Sequence, residues 1–389
     1  RQGRLAGTAE RDARRGCTND VCGRGNRFQC SSRKLFQHHV SCATLPPVGA
    51  PSTRLKSGQR IVMHMSASDI TIKQATEADL DHVIAVGAAA LGWKPNEPNA
   101  ELFRWKHLDN PFGVSPIWLA EVDGQIAGYR AFMRWDMADA TGRLWRSVRA
   151  VDTATHPDFQ RRGIFSRLTM QAVDEMAKEG VDIVFNTPNT QSRPGYLKMG
   201  WIDVGRLPVA VRPTSPGAMR RLLRARTAAQ KWSETSITGR PAADVLGDPA
   251  LAALVDSQPS PSGLATVLST QLLQWRYGLD LLRYRAWAPS GLHDGVVFFR
   301  VRRRGTAREC SVGLVLAPDG SDARSQSLVR ELSKAVDADY VLRVGSPDVR
   351  SGFFPLPGQG PRLTARTVSC DPPPDVSTWN FQLGDIELF

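Results

Sequence analysis

The sequence predicts an α/β protein with mixed sheets, built twice from one pattern. Three observations carry that expectation. Between residues 70 and 212, apolar runs of period two alternate with amphipathic stretches of helical period, in the order β-α-α-β-β-β-α-β-α-β-β. The second half repeats landmarks of the first in the same order. The composition, 41% hydrophobic and 23% charged over 389 residues, suits a globular chain of two to three domains.

The elements follow in order. Residues 70–75 alternate as a short strand. Thr76 is an N-cap, with Asp79 three residues later, for a helix running to about Leu91. A second helix covers residues 100–108. Residues 116–123 and 125–137 read as a hairpin turning at Asp123-Gly124. Residues 143–155 read as a third long strand. Residues 161–179 form an amphipathic helix with Phe165, Leu168, Ala172, Val173 and Met176 on one face. Residues 181–186 are a buried strand, and 194–199 a short helix closed by Gly200. Two strands, 201–204 and 207–212, complete the unit.

The repeat organises the rest. Leu102-Phe103-Arg104-Trp105-Lys106 is echoed by Leu272-Leu273-Gln274-Trp275-Arg276. The hairpin over 118–132 is echoed by 285–299, with Gly128 and Gly295 aligned. Thr155-His156-Pro157-Asp158 is echoed by Leu316-Ala317-Pro318-Asp319, and the helix and strand over 172–185 by 328–342. From Pro157 to Asp182 is 25 residues and from Pro318 to Asp339 is 21, and the missing four fall in the strand-to-helix loop. The expected division is a disordered basic extension (1–64), a first domain (65–212), a connector with a basic helix (213–250) and a degenerate second domain (251–389).

The net charge of +12 belongs to the extension: residues 1–62 hold 12 Lys/Arg and 3 Asp/Glu. The remainder is close to neutral, which argues against specific nucleic-acid binding. The longest uncharged apolar stretch, residues 83–93, falls short of the roughly 20 residues a membrane span requires. Cys17, Cys22, Cys30 and Cys42 sit in the extension without a CxxC pair, so no zinc or other metal site is expected. The extension is Arg-rich like a targeting peptide but has no apolar core and carries Glu10, Asp12 and Asp20. The reading adopted is an upstream extension, with the functional protein starting near Met63 or Met65. The cysteine-poor remainder fits a reducing cytoplasm.

One loop carries chemistry. His156-Pro157-Asp158-Phe159-Gln160-Arg161-Arg162-Gly163-Ile164-Phe165 joins a strand to a long helix. Such a junction presents unpaired N–H groups and the positive end of the helix dipole, an anion site suited to a pyrophosphate. Gly163 permits close backbone approach, and Arg161 and Arg162 add charge.

Here the sequence resembles the GNAT acyltransferase superfamily. Gln160-Arg161-Arg162-Gly163-Ile164-Phe165 fits the family's coenzyme-A loop, Gln/Arg-x-x-Gly-x-Gly/Ala, at all but the last position. Asn189, Tyr196, Gly200 and Trp201 fit a second element, an Asn followed seven residues later by a Tyr on a short helix ending in Gly-aromatic. The resemblance covers residues 70–212 well and 255–389 weakly, and implies tandem GNAT-like domains with a coenzyme-silent second copy. It further implies that Thr153, Ala154 and Thr155 pair with the pantetheine arm of acetyl-CoA. Gln160, Arg161, Arg162, Gly163, Ile164, Phe165 and Ser166 would hold the pyrophosphate, and Asn189 would join the cofactor site. Tyr196 would protonate the leaving thiolate.

Asp152 is either the base for the acceptor amine or a structural partner. His107 and His156 read as packing or turn residues. The chain's end, from Trp379, packs as the last strand of the second copy or places Asp385 or Glu387 in the acceptor cleft. The function expected is an acetyl-CoA-dependent N-acetyltransferase acting on a small-molecule or peptide amine. The alternatives are a non-catalytic coenzyme A-binding or scaffold protein and an aminoacyl-tRNA-dependent transferase, the last disfavoured by the coenzyme-A loop.

Overall fold

The computed structural model describes residues 70–224, 227–356, 358–369 and 376–387. The expected extension, with its cysteines, therefore lies outside the described residues.

Strand β1 (Thr71–Gln74) leads into helix α1 (Leu80–Leu91) through the expected cap: the Thr76 N–H and hydroxyl both donate to Asp79 Oδ2, at 2.9 and 2.8 Å. Helix α2 (Asn99–Leu108) precedes the hairpin β2 (Ile117–Val122) and β3 (Gln125–Arg134). Asp123 and Gly124 both adopt positive φ, the tight turn whose twist matches the strands. Strand β4 (Ser147–Thr155) starts later than expected, because Leu144–Trp145 pairs instead with Met137–Ala138 in a separate three-stranded sheet. Helix α3 (Ile164–Lys178), strand β5 (Ile183–Asn186), helix α4 (Arg193–Lys198), strands β6 (Ile202–Arg206) and β7 (Val209–Pro213) and helix α5 (Pro216–Arg224) follow. Helix α3 buries Leu168, Ala172, Val173 and Met176 against Trp118, Phe132 and Val148 of the sheet. Helix α1 packs on the opposite face, against Leu119 and Tyr129.

The second half contains β8 (Arg240–Pro241), α6 (Pro249–Asp256), α7 (Thr270–Gly278), β9 (Arg285–Trp287), β10 (Val296–Arg304) and β11 (Ala307–Leu316). These are followed by α8 (Asp322–Ala335), β12 (Tyr340–Val344), β13 (Phe354–Pro355), β14 (Arg362–Thr367) and α9 (Leu383–Ile386).

Two seven-stranded sheets result, ordered β1-β2-β3-β4-β5-β14-β6 and β8-β9-β10-β11-β12-β7-β13. Each has one parallel contact, β4 with β5 and β11 with β12. The sixth place in each is filled by a strand from the other half. Strand β14 lies antiparallel between β5 and β6, and β7 lies antiparallel between β12 and β13. The sheets thus do not divide at residue 212: residues 209–213 belong to the second sheet and 362–367 to the first. The local period of a strand sets its two faces but says nothing about which sheet receives it.

The repeat is visible as packing. Trp105 of α2 and Trp275 of α7 stack at 4.6 Å, and each indole N–H donates to the other's backbone carbonyl at 3.0 Å. Gly128 pairs with Thr155 and Val296 with Leu316, so Val296 rather than Gly295 is the counterpart of Gly128. The described residues of the chain's end, 376–387, form no strand. Leu383 and Ile386 are buried in the large core that also holds Trp105, Trp275, Trp379 and Phe381.

Candidate active site

The site grows from a divergence between two strands. Parallel pairing of β4 with β5 covers Ser147–Ile183, Val148–Val184 and Arg149–Phe185, then stops. Among the described residues, strand β4 continues to Thr155 paired only with β3, leaving its other edge open. A bulge marks the divergence: Asp152 is the extra residue between the pairs Ala131–Val151 and Arg130–Thr153, at φ 37°.

The bulge turns the Asp152 carboxylate to Lys106 Nζ (2.5 Å) and His107 Nε2 (2.7 Å) on α2. Burial alone would raise its pKa, but Lys106 and His107 more than reverse this and hold it well below the usual carboxylate range. That environment suits a fixed negative charge better than a proton acceptor. His107 is itself fully buried and its pKa is lowered by burial, against the pull of Asp152.

Beside the open edge lies a cleft of about 390 Å³. Thr153, Ala154 and Thr155 form one wall, and Gln160, Arg161, Gly163, Ile164 and Phe165 another, with Ala90 and Leu91 of α1 opposite. Gly163 caps α3 at φ 74° with no side-chain cap, and a Cβ there would meet nothing within 4 Å, so its glycine serves the backbone angle rather than tight space. Arg161 also has positive φ, at 65°. The Arg167 N–H donates to Gly163 O; the N–H groups of residues 163–166 precede it, as the first turn of a helix requires.

Three expected cofactor residues do not line this cleft. Arg162 stacks over the Phe159 ring at 5.2 Å, and Ser166 does not line the cleft. Asn189 Oδ1 accepts the N–H groups of Gln191 and Ser192 in the turn before α4, and the residue lines a second cavity.

Tyr196, on α4, is 3% exposed and packs edge-on to Phe165 at 5.5 Å. Its hydroxyl accepts a hydrogen bond from Arg130 Nη2 at 2.5 Å. Arg130 is fully buried on β3 among the rings of Phe132, Phe165 and Tyr196. It makes no ion pair among the described residues, and its Nε and Nη1 have no hydrogen-bond partner there. Sequence reasoning passed over this residue. The available signal was a charged side chain on the strand face that also carries Gly128 and Phe132.

The second half has the same divergence. Pairing of β11 with β12 covers Glu309–Tyr340, Cys310–Val341 and Ser311–Leu342, then stops. Here the open edge is occupied. The Gln382 side-chain amide pairs with Val315, accepting its N–H at 2.8 Å and donating to its carbonyl at 3.4 Å. Val315 precedes Leu316 as Ala154 precedes Thr155. Helix α9 fills the space behind, with Gly384 against Gly313 and Tyr277. The N-terminus of α8 is closed by its own Ser321, whose Oγ accepts the Arg324 N–H.

Residues 71–202 match the family model of the acetyltransferase (GNAT) domain. No curated protein matches the chain. A solved structure from Enterococcus faecalis, described as a probable N-acyltransferase, aligns with 77% of this chain and 73% of its own at TM-score 0.54 and 13% identity. A GCN5-related N-acetyltransferase from Anabaena variabilis covers the same shares at TM-score 0.53 and 14% identity. Eis1 from Mycobacterium abscessus aligns with 77% of this chain and 74% of its own at TM-score 0.51 and 17% identity. At such identities these likenesses establish the fold, across both halves of the chain. No helix among the described residues is long and apolar enough to cross a membrane.

Proposed function

We propose that this chain, a member of the GNAT superfamily through its acetyltransferase domain at residues 71–202, transfers an acetyl group directly from acetyl-CoA to a primary amine. The carrying observation is the open edge of β4 beside the uncapped start of α3. An extended amide-bearing arm would add to the first as a strand, and a pyrophosphate would suit the second. In this reading Thr153, Ala154 and Thr155 bind the pantetheine arm, and residues 160–166 bind the pyrophosphate through backbone N–H groups and Arg161.

The chemistry then rests on Tyr196. The amine nitrogen attacks the thioester carbon, the carbon–sulfur bond breaks, and the departing thiolate takes a proton from the tyrosine hydroxyl. The proton lost by the acylated nitrogen passes to solvent, which reprotonates the tyrosine. A thiol pKa of about 8.5 makes that donor useful at neutral pH. Arg130 supports the role by donating to the hydroxyl oxygen, which leaves the hydroxyl's own proton to be given elsewhere. Asp152 is assigned to fixing Lys106 and the bulge rather than to deprotonating the amine. The domains are proposed to be tandem, each completed by one strand of the other, and the second to be silent toward coenzyme A.

Calorimetric titration of the full chain with acetyl-CoA, followed by thiol release against a panel of amines, tests the reading. One equivalent bound and amine-dependent thiol release are expected. Binding without turnover on any amine would favour the scaffold alternative.

A further inference from the structure

A second cavity, of about 250 Å³, lies at the carboxyl end of β5. Residues 187–190, which leave β5, form part of it, and Arg193, Arg206, Arg302 and Arg362 line it together with one carboxylate, Glu387. Among the described residues, the two carboxylates within reach are already shared. Asp203 Oδ2 accepts from both Arg193 and Arg362. Glu387 Oε1 accepts from Arg300 and lies 3.0 Å from Arg302 Nη1, while its Oε2 accepts from the Tyr284 hydroxyl. Arg206 makes no ion pair among the described residues, and its guanidinium donates to the Gly360 carbonyl. Two buried donors, Arg193 Nε and Arg302 Nε, find no acceptor among the described residues. The field is positive in consequence: burial lowers the Arg206 pKa, and Arg362 and Arg193 lower it further against Asp203.

From this arrangement we infer that the cavity binds an anionic group, carboxylate or phosphate, of the acceptor, so that the acetylated molecule is an acidic amine rather than a polycation. The inference rests on the proposed acetyl transfer for its second half. Its geometry follows from the fold. The gap between β4 and β5 opens toward the carboxyl ends of those strands, where open α/β sheets place ligands. The cavity stands at that end, and Arg193 opens the helix that carries Tyr196. An acceptor anchored by Arg206 and Arg362 would present its amine toward the gap from the side opposite the α3 loop. Forked guanidinium donors match the two oxygens of a carboxylate or the face of a phosphate.

Two measurements on the full chain test this separately from the transfer reaction. Inorganic phosphate and succinate are titrated calorimetrically at fixed ionic strength, without acetyl-CoA, into the native protein and into Arg206→Gln and Arg362→Gln. At least one anion should bind, at least ten-fold more weakly in each variant. Which one binds distinguishes a phosphate from a carboxylate acceptor. Absence of binding, or equal binding in the variants, would overturn the site. Acetyl transfer is then compared within pairs: an amino acid and its amide, phosphoethanolamine and ethanolamine. The anionic member should be preferred at least ten-fold in kcat/KM, and Arg206→Gln should bring the ratio toward one. Equal or reversed preference with measurable turnover would overturn the acidic acceptor. Anion binding without turnover on any amine would overturn acetyl transfer and the acceptor assignment while supporting the anion site itself.

Discussion

The two strand divergences of this molecule are built alike and finished differently. Both follow three parallel pairs, and both leave the edge of a long strand open beyond them. In the first half the edge faces a cleft, and the neighbouring helix begins at Gly163 without a side-chain cap. In the second half, Gln382 takes the edge and Ser321 caps the helix. The chain's own amide thus sits where the proposed reading places an amide of the pantetheine arm in the first half. Backbone groups at a strand edge or helix end need a partner, whether water, a ligand or the chain itself. One half leaves them open, and the other satisfies them internally.

Four changes would break or sharpen this contrast. The largest effect is expected at Tyr196, beside the first divergence. Tyr196→Phe should lower turnover roughly 10²–10⁴-fold with acetyl-CoA affinity nearly unchanged. A Phe variant of normal activity would reduce the tyrosine to packing.

Next is the α3 loop. Arg161→Glu should weaken acetyl-CoA by about 1.5–3 kcal/mol, a charge-assisted hydrogen bond lost. Arg162→Glu should cost less, since Arg162 stacks on Phe159 rather than lining the cleft. Calorimetry giving equal losses would remove the distinction between the two arginines.

The third change addresses the filled edge. Gln382→Ala leaves the Val315 N–H and carbonyl without their partner and should cost about 1–3 kcal/mol of stability by denaturant titration. The stoichiometry of acetyl-CoA should stay at one. A second equivalent bound would mean that the tail, and not the shortened loop, silences the second half.

The smallest effect at neutral pH concerns acid. Glu309 stands in the second half where Ser147 stands in the first. Burial would raise its pKa, but Arg304 and Arg302 bring it from 4.5 down to about 2. Between those values the unfolded chain binds the proton that the native state refuses, so stability is full above about pH 4.5 and falls toward pH 2. Melting temperatures should be nearly flat from pH 7 to 5 and drop below that. A Glu309→Gln variant with an equally steep drop would place the acid sensitivity elsewhere.

Much of this was legible in the residues. The Thr76–Asp79 cap, the Asp123-Gly124 turn and the buried face of α3 follow from local pattern, and the structure has them. The echo of Trp105 in Trp275 became a physical contact. The first cleft is lined by Gln160, Arg161, Gly163, Ile164 and Phe165 from the loop that the sequence singled out, and by residues 153–155, which the resemblance pointed to. What escaped depends on partners far away in the chain. The destinations of β7 and β14 are set by edges more than a hundred residues distant. The bulge that sends Asp152 to Lys106 depends on the register with β3. Arg130 and Gln382 matter only for what they face, and composition is blind to that.

The exchange of β7 and β14 has a consequence for synthesis. A ribosome makes β7 long before β12 and β13, the neighbours that will flank it, and makes β14 long after β5 and β6. A nascent chain that has just completed β10 already contains the α3 loop, Asp152, Arg130 and Tyr196. Its first sheet still has a vacancy between β5 and β6, and β7 is an orphan strand with unpaired edges, open to the wrong partner. The fold can be finished only from its far end, so a premature stop or a cut between the halves leaves two incomplete sheets rather than one complete one.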